Sequence, residues 1–271
     1  MDYDDVLEAL TRWASAEDGV RALVLTGSAA AGQAHPLSDR DLEVYALDSA
    51  PLLADDSWWD GLGEVLVVER LHAPGWYPSR LVYYAGGKLD LAVIPIEQIT
   101  SLRRDRPFQV LLDKDGRASA LSLTAATPAL PSADDVEQAL HWGYAAALMC
   151  AKAAVREELW MAKVRDRDLK EQLLLLIEWD HRARHGPGFD TRHLGTGMGR
   201  WMDADVRAEL QRCWGRFDAV DTAAALRASV ALFARLAVRL SERLGLAPFA
   251  HERLRAEIED ILSTRPDLIT A

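Results

Sequence analysis

Ser38-Asp39-Arg40-Asp41-Leu42 carries two aspartates at positions i and i+2, ten residues after the pair Gly27-Ser28. Side chains at i and i+2 of an extended strand project to the same face. If Asp39 and Asp41 open a strand, their carboxylates therefore aim at one point. Like charges so placed repel unless a cation sits between them. Hard oxygen ligands, few in number and leaving room for water and phosphate, suit Mg²⁺. A third carboxylate, Asp90, is embedded in the apolar run Lys88-Leu89-Asp90-Leu91-Ala92-Val93-Ile94. A charge in such a strand is costly unless it is paired or binds metal. If that strand neighbours the one bearing Asp39 and Asp41, three carboxylates converge, enough to hold two metal ions that clamp the attacking and leaving oxygens of a phosphoryl transfer. Taken singly, a Gly-Ser can be a strand-ending turn, and Ser38-Asp39 a turn or cap. The ordered combination points to chemistry on phosphate.

These residues need a sheet to position them, and the first half of the chain supplies the signals for one. Asp4 to Ser15 has Val6, Leu7, Leu10 and Trp13 at helical spacing. Val20 to Leu25 is a short apolar run that predicts a buried strand, ended by Gly27-Ser28. Asp41 to Leu47 alternates as a second strand, and Glu64 to Leu71 is a third candidate. Leu81 to Ala85 and Lys88 to Ile94 flank Gly86-Gly87 and predict a hairpin.

Thr127-Pro128-Ala129-Leu130-Pro131-Ser132 then breaks the pattern with two prolines and an N-cap serine. The expected division is a sheet domain over 1–127 and a helical domain over 128–271. In the second half, Leu140, Tyr144, Ala147, Leu148, Ala151, Val155, Leu159 and Ala162 fall on one helical stripe. Further helices are predicted over Leu169–Arg184, Asp203–Arg216, Thr222–Leu244 and His251–Leu262. The fold class expected is α+β: a mixed β-sheet domain followed by an all-helical one.

Composition narrows the partners. The net charge of −11 argues against a protein that tracks a nucleic-acid backbone, which needs a basic footprint. It suits a cationic small molecule. No apolar run approaches a bilayer span, and the acidic start Met1-Asp2-Tyr3-Asp4-Asp5 lacks a signal-peptide pattern, so a soluble, cytoplasmic protein without membrane partners is expected. Cys150 and Cys213 belong to no CxxC pair and are expected as reduced core residues. Most of the tryptophans, Trp58, Trp59, Trp76, Trp142, Trp160, Trp179, Trp201 and Trp214, are expected in packing, with one available to stack on a ring. The glycine-rich stretch from His185 to Arg200 reads as a connector or a mobile cover.

Gly-Ser followed by the spaced Asp-x-Asp resembles the nucleotidyltransferase superfamily signature. Trp76-Tyr77-Pro78-Ser79-Arg80-Leu81 leading to Gly86-Gly87-Lys88-Leu89-Asp90-Leu91, and Val110-Leu111-Leu112-Asp113-Lys114-Asp115-Gly116, are similar to segments of the aminoglycoside 6-adenylyltransferase (streptomycin adenylyltransferase) family. Ala151-Lys152, Arg156, Glu158 and Ala162-Lys163 follow that family's AK-xxx-R-x-E-xxx-AK pattern, and Glu178-Trp179 and Gly199-Arg200-Trp201-Met202 also have counterparts. The chain departs from the family at Ala29, where an arginine usually follows Gly-Ser, and in the loop to Ser38.

The resemblance implies an antibiotic-resistance enzyme that moves AMP from Mg-ATP to a hydroxyl of a streptomycin-like aminoglycoside and releases pyrophosphate, with its site in the cleft between the domains. Asp39, Asp41 and Asp90 would bind Mg²⁺, with Asp90 the first choice as base. Gly27, Ser28, Lys152 and Arg156 would hold the ATP phosphates. Lys163 shares a face with Lys152 and Arg156 if one regular helix carries all three, and Glu158 lies roughly opposite. Glu158, Glu178 and Asp180 would meet the acceptor's cations, and Glu158 and Glu178 are weaker candidates for the base. A lincosamide or protein acceptor, or a nucleotide-binding regulator without turnover, are the competing readings.

Overall fold

A computed structural model describes residues 1–101, 104, 106–124, 129–191 and 194–268. The chain forms two compact units, 1–126 and 127–271. The expected boundary at Thr127-Pro128 lies outside the described residues.

The first unit opens with α1 (Tyr3–Ala16), capped by the Asp2 side chain, which accepts from the Asp4 and Asp5 amides. The strands are β1 (Val20–Thr26), β2 (Arg40–Ala46), β3 (Val65–Leu71), β4 (Ser79–Tyr84), β5 (Gly87–Pro95) and β6 (Gln109–Asp113). They form one mixed sheet in the order β3-β4-β5-β2-β1-β6. The central pair β2–β5 is parallel and the remaining pairs are antiparallel. The hairpin at Gly86 forms as expected, with Tyr84 paired to Gly87 and Gly86 at φ 81°. One strand escaped the sequence reading. β6 is half-exposed at the sheet edge, and its Val-Leu-Leu core is too short to alternate visibly.

One sheet face buries Leu23, Leu25, Leu42, Val44, Leu89, Leu91 and Val93 against Val6, Leu10 and Ala14 of α1. Leu52 of α3 (Ala50–Ala54) and Trp58 and Trp59 of α4 (Ser57–Asp60) complete that core. A smaller core of Ala22, Val24, Tyr45, Ile94, Ile96, Ile99 and Ala118 forms separately. The polar residues of β2 and β5 alternate with the first set, so the pleat itself presents them on the opposite face.

The second unit is helical throughout its described elements: α5 (Ala133–Val155), α6 (Leu159–His185), α7 (Met198–Trp201), α8 (Ala204–Arg212), α9 (Ala219–Leu244) and α10 (His251–Ser263), where the first unit's turn Gly27–Ala30 is α2. Ser132 and Asp135 make a reciprocal capping box at the start of α5. The core gathers Leu140, Tyr144, Leu173, Leu176, Phe233 and Leu236. Mid-helix Gly143 is explained by Phe233, whose Cζ would lie 2.4 Å from a Cβ there. Both cysteines are buried and reduced.

Two expectations need correction. The helical stripe from Leu140 to Ala162 is broken at Arg156–Glu158, so α5 and α6 are separate helices packed on each other. Glu157 stands at φ 58°, and the amides of Glu157 and Glu158 bond back to the Ala154 and Ala153 carbonyls, which closes α5. Hydrophobic periodicity continued through the turn because both helices face one core, so no apolar signal marked the break. The tryptophans divide as well: Trp58 and Trp59 are buried, but Trp76, Trp142, Trp160 and Trp214 are largely exposed. Among the described residues, no helix is long and apolar enough to cross a membrane.

Candidate active site

Parallel pairing of β2 with β5 sets Asp41 directly opposite Asp90. On the other side, β1 sets Thr26 opposite Asp41. Thr26 ends β1, and Gly27 then turns the chain into α2. Gly27 adopts φ 69°, and a Cβ there would lie 2.0 Å from Asp41 Oδ2. The glycine of the Gly-Ser pair is thus what allows the turn to pass against the Asp41 carboxylate. Ser28 follows in the same turn, its carbonyl accepting from the Gln33 amide at 2.9 Å.

Asp39 immediately precedes β2, and a lysine ties it to Asp90. Lys88 Nζ donates to Asp39 Oδ2 at 3.0 Å and to Asp90 Oδ2 at 3.0 Å. It also lies 2.7 Å from Asp90 Oδ1. That last contact lacks a hydrogen-bonding angle, so Oδ1 remains a buried acceptor without a hydrogen bond. The three aspartates are all half-buried.

The electrostatics follow from this crowding. Asp41 is pushed up to about 6, first by burial and then by the negative charges of Asp39 and Asp90, with Lys88 opposing. Asp90 is also raised, chiefly by burial, although the Lys88 hydrogen bond pulls the other way. For Lys88, burial disfavours the charge, but the bonds to Asp90 and Asp39 outweigh it and hold its pKa up.

Among the described residues, no three histidine, cysteine or acidic side chains are already gathered around one metal position. The donor set nevertheless fits Mg²⁺. All donors are carboxylate oxygens, and Asp41 is raised by burial and by the charges of Asp39 and Asp90, whose repulsion a cation would relieve.

Three residues of this region carried no role in the sequence reading. Lys88 stands at i−2 from Asp90, the spacing that brought Asp39 and Asp41 together, and could have been found by the same rule. Glu43 continues the alternation from Asp39 and Asp41. Its carboxylate is ion-paired with Arg104, accepts from the Tyr45 hydroxyl at 2.8 Å, and Arg104 Nη2 donates to that hydroxyl at 2.6 Å. Arg104 comes from outside the regular strands, and no local pattern connects it to Glu43.

The residues predicted on the helical unit are dispersed. Lys152 is exposed in the last turn of α5 and has no side-chain partner among the described residues. Arg156 caps α5 and pairs with exposed Glu158 at 2.5 Å, so the two are neighbours rather than opposite. Lys163 lies beyond the break on α6 and donates to the Gly215 carbonyl at 2.8 Å, apart from Lys152 in register. Glu178 is buried 3.8 Å from Arg182, and burial raises its pKa. Asp180 is 0% exposed and bound by Arg239 at 2.6 and 2.5 Å and by Arg184 at 3.0 Å. Its oxygens are engaged in a buried ionic network, unlike those of exposed Glu158.

The family model described as streptomycin adenylyltransferase matches residues 2–258. The aminoglycoside 6-adenylyltransferase of Campylobacter jejuni is 25% identical over 123 residues, which span 42% of this chain and 43% of that protein. Among solved structures, an aminoglycoside 6-adenyltransferase from Bacillus subtilis aligns over 96% of this chain and 98% of its own, at 19% identity and a TM-score of 0.48. A nucleotidyltransferase-like protein from Exiguobacterium sibiricum aligns over 99% of this chain and 90% of its own, at 10% identity and a TM-score of 0.29. With the family match extending over nearly its whole length, the chain belongs to the streptomycin adenylyltransferase family.

Proposed function

We propose that the chain transfers AMP from ATP, with Mg²⁺, to a hydroxyl of a streptomycin-like aminoglycoside and releases pyrophosphate. The observation that carries this reading is the register of Asp41 against Asp90, with Gly27 packed on one carboxylate and Asp39 drawn to the other by Lys88.

Asp39, Asp41 and Asp90 would hold the metal. Magnesium, when bound there, supplies positive charge to the phosphate oxygens and lowers the barrier to displacement. The chain's own residues do the rest. Gly27 lets the backbone approach the triphosphate, and Ser28 supplies a hydroxyl for a phosphate oxygen. The acceptor hydroxyl oxygen forms a bond to the α-phosphorus, the bond to the pyrophosphate oxygen breaks, and Asp90 takes the hydroxyl proton. A carboxylate with a raised pKa is better matched to that task than an ordinary one.

On the helical unit, exposed Lys152 and Arg156 remain the proposed phosphate ligands. Both lie at the C-terminal end of α5, where cations are favoured. Exposed Glu158 is the better proposed partner for the acceptor's guanidinium or ammonium groups, because Glu178 is buried beside Arg182.

The test is to incubate the protein with Mg-ATP and, separately, streptomycin, other aminoglycosides and a lincosamide, and to read product mass and pyrophosphate. Streptomycin gaining one adenylyl group supports the reading. Modification of the lincosamide alone moves the acceptor, and pyrophosphate from none of them overturns it.

A further inference from the structure

Lys88 makes a contact that none of the proposed steps uses. Its ammonium touches three oxygens of two carboxylates: Asp90 Oδ1 at 2.7 Å, Asp90 Oδ2 at 3.0 Å and Asp39 Oδ2 at 3.0 Å. The lysine is fixed from behind as well. Its backbone amide donates to the Tyr3 hydroxyl at 2.9 Å, and that hydroxyl donates to its carbonyl at 3.4 Å. Tyr3 is in turn covered by the Arg40 guanidinium, 3.9 Å from the ring centroid. Above the strand, Nζ lies 5.3 Å from the centroid of the Tyr83 ring. Its backbone is thus held by Tyr3, and its ammonium sits within the carboxylate cluster.

The oxygens it touches are the ones the metal reading needs. A magnesium ion takes carboxylate oxygens at about 2.0–2.1 Å and does not share them comfortably with a neighbouring cation. Asp41, set opposite Asp90 across the β2–β5 pair, receives no hydrogen bond from Lys88. One ammonium thus neutralises part of the cluster and leaves the rest as bait for a second cation.

We propose that Lys88 is a positioning residue that competes with the metal: its ammonium holds Asp39 and Asp90 together, and it releases them when Mg²⁺ arrives with a nucleotide whose phosphates take over the ammonium. The inference rests on the reading of Asp39, Asp41 and Asp90 as metal ligands. Its consequence is that metal alone binds weakly and metal with nucleotide binds well, so the centre is charged only when substrate is present.

The experiment is a titration of the full chain with Mn²⁺, followed by electron paramagnetic resonance, with and without a non-hydrolysable ATP analogue. Lys88→Met should bind Mn²⁺ alone about tenfold more tightly than the parent, because a competing unit charge is gone. The analogue should then tighten Mn²⁺ less in Lys88→Met than in the parent. Lys88→Arg, which keeps the charge, should stay within about threefold of the parent. A purely structural lysine would give a variant that binds metal equally or less well, and that result overturns the inference. If Mn²⁺ binds the parent through Asp41, as its loss in Asp41→Asn would show, but Lys88→Met is unchanged, only the inference fails. If Mn²⁺ binds neither protein, the metal reading fails with it. Should Lys88→Met not fold, ¹⁵N NMR of the parent's lysine ammonium groups decides. One signal, absent in Lys88→Arg, should be protected from exchange and should change its chemical shift on adding Mg²⁺ and the analogue, as its partners change from carboxylate to phosphate. A signal whose shift does not move while Mg²⁺ and the analogue bind overturns the inference.

Discussion

Gly27 and Asp41 are packed so closely that a Cβ on the glycine would lie 2.0 Å from Asp41 Oδ2. The contact joins the two halves of the sequence signature, the Gly-Ser turn and the Asp-x-Asp strand, through one side chain and one missing side chain. Gly27→Ala should therefore do more than strain a left-handed turn, which alone costs about 1–2 kcal/mol. It should displace Asp41. Adenylyl transfer should fall by about tenfold or more, while circular dichroism shows the fold retained. Parent-like turnover in a folded Gly27→Ala protein would remove Asp41 from the proposed centre.

Asp180 offers a contrasting case, in which a carboxylate expected at the acceptor is tied into the helical core. Removing one partner of a buried ionic network leaves uncompensated charges, here on Arg239 and Arg184. Asp180→Ala should lower stability by about 3–5 kcal/mol in chemical denaturation. An unchanged denaturation midpoint with a raised KM for the antibiotic would return Asp180 to the acceptor.

What was legible in the sequence depended on whether a local pattern carried it. Asp39 and Asp41 were readable because a two-residue period puts them on one face, and Asp90 because a charge stood out in an apolar strand. The placement of Asp41 opposite Asp90 depends on the parallel β2–β5 pairing, which no local signal encodes. The Glu43–Arg104 pair depends on a segment 61 residues away and was invisible for the same reason. The break at Arg156–Glu158 was hidden because Glu157 takes the left-handed conformation normally marked by glycine. The burial of Asp180 was hidden because its partner Arg239 lies on another helix, 59 residues on.

Two histidines of the helical unit make its stability sensitive to acid. His181 accepts from the Asp203 amide at 3.1 Å through Nε2, which leaves Nδ1 to donate to the Ile177 carbonyl at 2.7 Å. His251 Nδ1 lies 2.8 Å from the Tyr144 hydroxyl. Burial is the main cause that lowers both from the ordinary value of 6.5, against the nearby charges of Asp180 and Asp203 at His181 and of Glu252 at His251. A depressed histidine stays neutral in the fold while the unfolded chain takes up protons. Its contribution is full above about 6.5 and is lost as the pH falls through the folded values. NMR titration should find both imidazoles with midpoints below 6.5, His181 as the Nδ1–H form. A midpoint above 6.5 for either would contradict the packing described.

The central claim is that the three aspartates form the centre for adenylyl transfer, and Asp41 tests it most directly. Its pKa is pushed up to about 6, so the fold already favours a neutral group there, and Asp41→Asn should fold at least as well as the parent at pH 7.5. The measurement is pyrophosphate release from Mg-ATP and streptomycin by the parent and by Asp41→Asn, each checked by thermal melt. The account predicts release by the parent that requires both streptomycin and Mg²⁺, and a loss of about a hundredfold or more in a stable Asp41→Asn protein. Equal release by the two proteins would contradict it.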